Sequence, residues 1–323
     1  RFSSLTTYYG AGAAGQGIEL LGWLRDVEIA PNPGSVNPVI DPAAPEDPAQ
    51  RQWTVTITGT AGVDGATSAA THTAGENVLA AHPEGGENQP GILVLRVYVP
   101  QDPADHTGGV GLPSLTLQDA NGESRVLPAC TTQEELIWGE LIRQKVLVNI
   151  MAADRLPLPP GPDVTPAWVE SPVPGLAPNP DNRYLMAPVA WEPGRVVVVH
   201  GKAPSFPDSR AGESLTTPSA LRYWSFSPGS NIIDPPDGYL TTACMSDFQI
   251  PLDADGYYTI VVSQPEDQPV NATVDNGIAW IQGADPTLPD LLVLRHMLPS
   301  SEFFGQSVWA VPELLVGAAQ PVM

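Results

Sequence analysis

GILVLRVYVP, from Gly91 to Pro100, and DLLVLRHMLP, from Asp290 to Pro299, are two spellings of one strand. Both carry Leu-Val-Leu-Arg, and both end in proline. Side chains alternate between the faces of a strand, so Leu93, Leu95, Val97 and Val99 share one side while Val94, Arg96 and Tyr98 share the other. Arg295 likewise falls with Val293 and Met297. An arginine on a half-buried face needs acceptors, because burying it unpaired costs several kcal/mol. Asp26 and Asp247, which are themselves repeated, are the expected partners: a bidentate, partly buried Arg96–Asp26 pair and a matching Arg295–Asp247 pair. The alternative is that the two arginines bind an anionic ligand.

The repeat extends well beyond this strand. Arg1-Phe2-Ser3-Ser4-Leu5 answers Arg222-Tyr223-Trp224-Ser225-Phe226 at an offset of 221, and Asp26-Val27-Glu28-Ile29 answers Asp247-Phe248-Gln249-Ile250 at the same offset. Gln52 to Ile57 corresponds to Tyr257 to Val262, both rich in the β-branched and aromatic residues that strands favour. At an offset of 199, Glu76 to Ala80 matches Asp275 to Ala279, and the opening pair follows. The shorter offset reflects a Pro-, Ala- and Asp-rich insertion between Ser35 and Gln50. A duplicated, mostly β unit follows from five matched blocks in one order.

The expected architecture is mainly β: two tandem, internally duplicated antiparallel β-sandwich domains, jelly-roll-like, with one connecting α-helix. The first copy covers 1–128, a helix and proline-rich linker 129–181, and the second copy 182–323. The helix is expected after Thr131-Thr132-Gln133-Glu134-Glu135, which holds two overlapping capping boxes, and its apolar stripe includes Leu136, Leu141, Val148 and Met151. Leu156 to Pro180 carries prolines too closely spaced for a helix or a central strand and reads as a linker or extended strap. Arg195 to His200 reads as a leading strand in the second copy. An equivalent would precede Arg1, which suggests a truncated N-terminus.

Composition narrows the function classes. With 323 residues and 42% hydrophobic content the chain can fill two cores. Its net charge of −22 opposes binding to nucleic acid and to anionic lipid. No apolar run is long enough to span a bilayer. The 37 prolines and 30 glycines fit many short strands joined by turns.

Catalytic and metal signatures are weak. The five histidines, His72, His82, His106, His200 and His296, form no metal-binding spacing, and neither metal nor cofactor is expected. Asp253-Ala254-Asp255-Gly256 fits a turn better than a calcium loop, since the bidentate glutamate position would fall on Val262. No nucleophile elbow, P-loop or dinucleotide fingerprint is present. Paired carboxylates of a glycosidase would meet only in space. Tryptophans such as Trp23, Trp53, Trp224 and Trp280 are expected in the core, with sugar stacking as the alternative. Cys130 and Cys244 could close one disulfide in an oxidising compartment or remain two buried thiols. Asn271-Ala272-Thr273 is a glycosylation sequon only in a eukaryotic secretory pathway.

The runs RYWSFS, CMSDFQIPLDADGYYTIVVSQPEDQPVNATVDNGIAW and LLVLRHMLP resemble a group of uncharacterised secreted bacterial β-sandwich proteins, related to the paired unknown-function β domains of periplasmic proteins. The resemblance covers Asn182 to Met323 and extends more weakly through DVEIAPNPGSVNP in the first copy. It implies export, with a leader before the mature part and sequence continuing past Met323. It brings no catalytic residues. The expectation is therefore an extracellular or periplasmic, non-enzymatic binding or structural surface protein, with a glycan or protein partner or a second copy of itself. The alternatives are a secreted enzyme with its site between the copies, acting on a glycan or other surface compound, and a self-assembling surface-layer or filament subunit.

Overall fold

The computed structural model describes residues 2–9, 19–41, 43–58, 77–80, 91–99, 105, 107, 111–119, 121–129, 167–170, 179–190, 192–228, 243–283, 290–305 and 312–318. The expected helix after Thr131 lies outside the described residues, as do Cys130, His72, His82 and His106. The chain divides into two compact units, Arg1–Ile150 and Met151–Met323, and the division falls inside the segment expected to link the copies. Among the described residues the protein is mainly β with one short α-helix, Ser301–Phe304, and no sheet closes on itself.

The first unit contains β1 (Phe2–Tyr9), β2 (Glu19–Arg25), β3 (Thr56–Thr58), β4 (Val78–Ala80), β5 (Gly91–Tyr98), β6 (Thr116–Gln118) and β7 (Ser124–Val126). They form a three-stranded sheet in the order β2-β1-β5 and two ribbons, β3-β4 and β6-β7. The central strand β1 is antiparallel to both neighbours, with Ser4 facing Arg25 on one side and Arg96 on the other. Leu5, Leu24 and Leu79 form its small core, and Trp53 and Leu95 pack against them.

The second unit contains β8 (Val169–Glu170), β9 (Asn182–Val189), β10 (Arg195–Lys202), β11 (Tyr223–Pro228), β12 (Met245–Ser246), β13 (Tyr257–Ser263), β14 (Ile278–Gln282), β15 (Asp290–Met297) and β16 (Glu313–Ala318). One sheet runs β12-β11-β15-β9-β8 and the other β14-β13-β10-β16. The core takes Trp224, Phe226, Leu292 and Leu294 from the first sheet and Ile260 and Val262 from the second. β10 is the leading strand read from Arg195-Val196-Val197-Val198-Val199-His200. β8 lies within the proline-rich stretch and pairs with β9 at the edge of the described sheet.

Antiparallel pairing dominates but is not universal. β13 pairs with β14 in parallel, Thr259 beside Ile278, and β3 pairs with β4 in parallel, Thr56 beside Val78. Parallel neighbours need a crossover rather than a tight hairpin. Residues 264–277 supply one, through two 3-10 turns and Gly277 at φ 72°. Asp253 to Gly256 forms a closed turn before β13, in which the Asp253 carboxylate accepts the Asp255 and Tyr257 amides at 2.9 and 2.8 Å. Asp119 closes the β6-β7 hairpin in the same way, accepting from the Asn121 and Glu123 amides.

Both arginine strands end in the same rare backbone state. Val99 has φ 53° and Leu298 φ 47°, left-handed values that cost a bulky residue strain, and each precedes a proline. Gly201 marks a different constraint, the closest approach of β10 to the segment leading into β16. A Cβ there would meet Pro312 Cβ at 2.8 Å, Pro312 Cα at 2.9 Å and the Tyr258 hydroxyl at 3.0 Å. Gly201→Ala is therefore expected to destabilise the second unit by about 1–3 kcal/mol, read as a lower urea midpoint.

Candidate functional site

The site begins at the twice-written arginine. Thr6 and Tyr8 follow Ser4 at period two along β1, so they share the face of Arg96 on β5. Arg96 Nη1 donates to Thr6 Oγ1 at 2.7 Å, Nη2 donates to the Tyr8 hydroxyl at 2.5 Å, and the guanidinium lies 5.6 Å from the Tyr8 ring centroid. Thr6 and Tyr8 are buried. Burial pushes the Tyr8 phenol above its ordinary range, with Arg96 pulling the other way, so it stays protonated at neutral pH. In the second unit Arg295 occupies the corresponding place, facing Ser225 of β11 and lying 5.3 Å from the Tyr184 ring on β9.

The aspartates expected to pair with these arginines lie just past the ends of β2 and β12. Asp26 Oδ2 accepts the Ser3 amide at 2.9 Å, Oδ1 accepts the Val27 amide at 2.8 Å, and the Asp26 amide donates back to the Ser3 carbonyl. Asp247 does the same in the second unit, accepting from the Trp224 amide at 3.4 Å and the Phe248 amide at 2.7 Å. Both carboxylates are buried and serve as backbone acceptors where the strand turns. The missed hydroxyl partners, Thr6 and Tyr8, are legible only once Ser4 is aligned with Arg96.

A second cluster surrounds His296. It is buried in the row Trp224–His296–Arg183, which runs across three strands, and the ring of Phe303 meets it edge-on at 5.5 Å. Its Nδ1 meets no partner among the described residues. Desolvation, with the charge of Arg183 acting in the same direction, lowers the imidazole pKa to about 4. Such a ring is neutral at pH 7 and too weakly basic to act there as a general base. Arg183 itself pairs with Glu170 at 2.9 Å, donates to the Phe304 carbonyl and stacks 4.4 Å over the Phe304 ring.

The remaining candidates are spread apart. His200 is half-buried on β10, with Nδ1 3.1 Å from Thr259 Oγ1 and its ring stacked on Tyr257 at 5.5 Å. Thr259 is its cross-strand neighbour in the sheet, which accounts for the contact. Cys244 is exposed beside Ser225, and its expected disulfide partner Cys130 lies outside the described residues. Trp224 is fully buried, while Trp23, Trp53 and Trp280 are half-buried; Trp280 donates to Ser263 Oγ at 3.0 Å. Among the described residues no group of three or more His, Cys, Asp or Glu side chains is placed to hold a metal ion, and no helix is long and apolar enough to cross a membrane.

These elements define a mainly β protein with open, chiefly antiparallel sheets. No protein-family model matches the chain, and no curated protein matches it. Among solved structures it is similar to an uncharacterised protein from Burkholderia cenocepacia, at 11% identity and a TM-score of 0.48, over 99% of this chain and 71% of that one. It is also similar to a protein from Vibrio parahaemolyticus, at 12% identity and a TM-score of 0.37, over 98% of this chain and 82% of that one.

Proposed function

We propose that this chain is an exported, non-enzymatic binding or structural component of the bacterial cell surface, built from one β-sandwich module used twice. The observation that carries the reading is the shared strand register. Ser4 sits between Arg25 and Arg96, and Ser225 sits between Ser246 and Arg295, at the same offsets of 221 and 199 that the sequence repeat has. The buried carboxylate at the turn, the parallel strand pair and the left-handed residue before proline recur with it. A sandwich is favoured in the second unit because its core draws side chains from two sheets.

The non-enzymatic reading is supported by what the charged groups do. Arg96, Asp26 and Asp247 hold strands and turns, and His296 cannot take up a proton near neutrality. A net charge of −22 keeps such a surface soluble and turns the partner choice away from polyanions, towards a neutral glycan or a protein.

The test is made on the protein expressed from its whole gene in its bacterial host. We expect it in the periplasmic, envelope or culture fraction, bound by isolated envelope material and inert towards a panel of glycoside, ester and peptide substrates. Retention in the cytosol would sink the export half of the reading; turnover of any of those substrates would sink the non-enzymatic half.

A further inference from the structure

At its end β15 passes from the core to the surface within a few residues. His296 and Met297 are fully buried, Leu298 takes φ 47°, and Pro299 leads into Ser300 and the helical turn Ser301–Phe304. The Ser300 amide donates to the Ala220 carbonyl at 2.8 Å, Ser300 Oγ accepts the Phe303 amide at 3.1 Å, and the Ser300 carbonyl accepts the Phe304 amide at 2.7 Å. Ser301, Glu302 and Phe304 are exposed, whereas the half-buried Phe303 ring packs on the core and meets His296 edge-on. Two local costs accompany this closed arrangement. Leu298 is held in the left-handed region immediately before a proline, where extended backbone is preferred, and the His296 Nδ1 is buried without a hydrogen-bond partner among the described residues. Lifting the turn relieves both, since Leu298 regains extended backbone and the imidazole meets water.

We propose that Pro299–Gly305 is an acid-released strap: it lifts off His296 about a hinge at Leu298 while the sheets of the second unit stay folded, and protonation of the uncovered imidazole holds it open. The charged groups around the ring set the direction. Arg183 of β9 faces it in register and is itself paired with Glu170 of β8; β11 brings the uncharged Trp224, and the strap brings the exposed Glu302. Asp181 and Arg222, both buried, lie one step further along, beside Leu298 and Met297. Arg183 is the charge that bears on the imidazole, and it opposes protonation as burial does. Once the strap lifts, water reaches the ring and it titrates near its ordinary 6.5. Above that value neither state binds a proton, so opening is independent of pH. Between 6.5 and about 4 the open state alone binds one, and the opening equilibrium rises about tenfold per pH unit before flattening.

The test follows amide hydrogen exchange in the full chain from pH 7 to pH 4.5, with each rate corrected for its intrinsic pH dependence. The Phe303 and Phe304 amides, whose acceptors belong to Ser300, report the strap, and the β13 amides report the whole unit. At every pH the strap amides are expected to be about 100-fold or more less protected than those of β13. They should also be insensitive to about 1 M urea, which speeds exchange in β13. Between pH 7 and pH 4.5 strap opening should rise about 50-fold in the parent and less than about threefold in His296→Val. Phe303→Ala is an independent variant that removes only a half-buried ring. In it the midpoint of the His296 imidazole titration, read by NMR, should move up by about one pH unit or more. Strap amides that share the protection and urea response of β13 would overturn the proposal, because the turn would then leave only with the whole unit. An acid response retained in His296→Val, or an unmoved midpoint in Phe303→Ala, would overturn it as well.

Discussion

Replacing Trp224 with alanine is expected to cost the second unit about 3–5 kcal/mol. The indole is completely buried near the start of β11, and its ring lies 4.7 Å from that of Tyr258 at 31°. Trp224 belongs to one sheet of the unit and Tyr258 to the other, so the pair joins the two layers across their core. Truncation removes the largest fully buried side chain among the described residues and leaves a void bounded by two sheets whose backbones are fixed by their ladders. The Nε1 donor meets no acceptor among the described residues, and a buried unsatisfied donor carries its own desolvation cost. Trp224→Phe removes that donor while keeping an aromatic ring against Tyr258, and is expected to cost about 1–2 kcal/mol. Amide exchange in β13 and β15 reads both: protection in the alanine variant should fall by about two to four orders of magnitude. A fall of less than tenfold would mean that Trp224 does not hold the sheets together.

How far the sequence discloses this arrangement depends on the range of the interaction. Strands such as β10 and β13 are legible because Val196 to Val199 and Tyr257 to Val262 are rich in residues that suit a pleated sheet. The central register is legible because the same short blocks recur, and the register then preserves their offsets. Parallel pairing is not legible: β13 finds β14 only after the crossover through residues 264–277. The arginine partners are half legible. Charge type points to Asp26, which also accepts the Ser3 and Val27 amides, while Thr6 and Tyr8 on the guanidinium's own face emerge only from alternation along β1. The environment of His296 is least legible, since Trp224, Arg183 and Phe303 come from three separate elements.

That environment makes the second unit sensitive to acid. The unfolded chain binds a proton at the ordinary imidazole value of 6.5, and folded His296 only at about 4. Between those values the unfolded form takes up a proton that the folded form refuses, so stability is complete above pH 6.5 and is lost as the pH falls through the window. The loss expected from this one residue amounts to about 3 kcal/mol by pH 4 and flattens below it. Burial is the main cause, and the charge of Arg183 on β9, itself paired with Glu170 on β8, acts in the same direction; Trp224 and Phe303 flank the ring. The first unit has Val97 at the corresponding position, which makes His296→Val the natural comparison. The variant removes the titrating group and leaves the carboxylates untouched, so the difference between the two stability curves isolates the imidazole. It is expected to be less stable than the parent at pH 7, because a smaller side chain leaves space beside Trp224, yet to lose about 3 kcal/mol less between pH 7 and pH 4. Urea midpoints of the second unit across that range give both curves. Equal slopes would show that His296 either protonates freely in the folded state or never leaves it during acid unfolding, and the desolvated row would no longer account for the acid response.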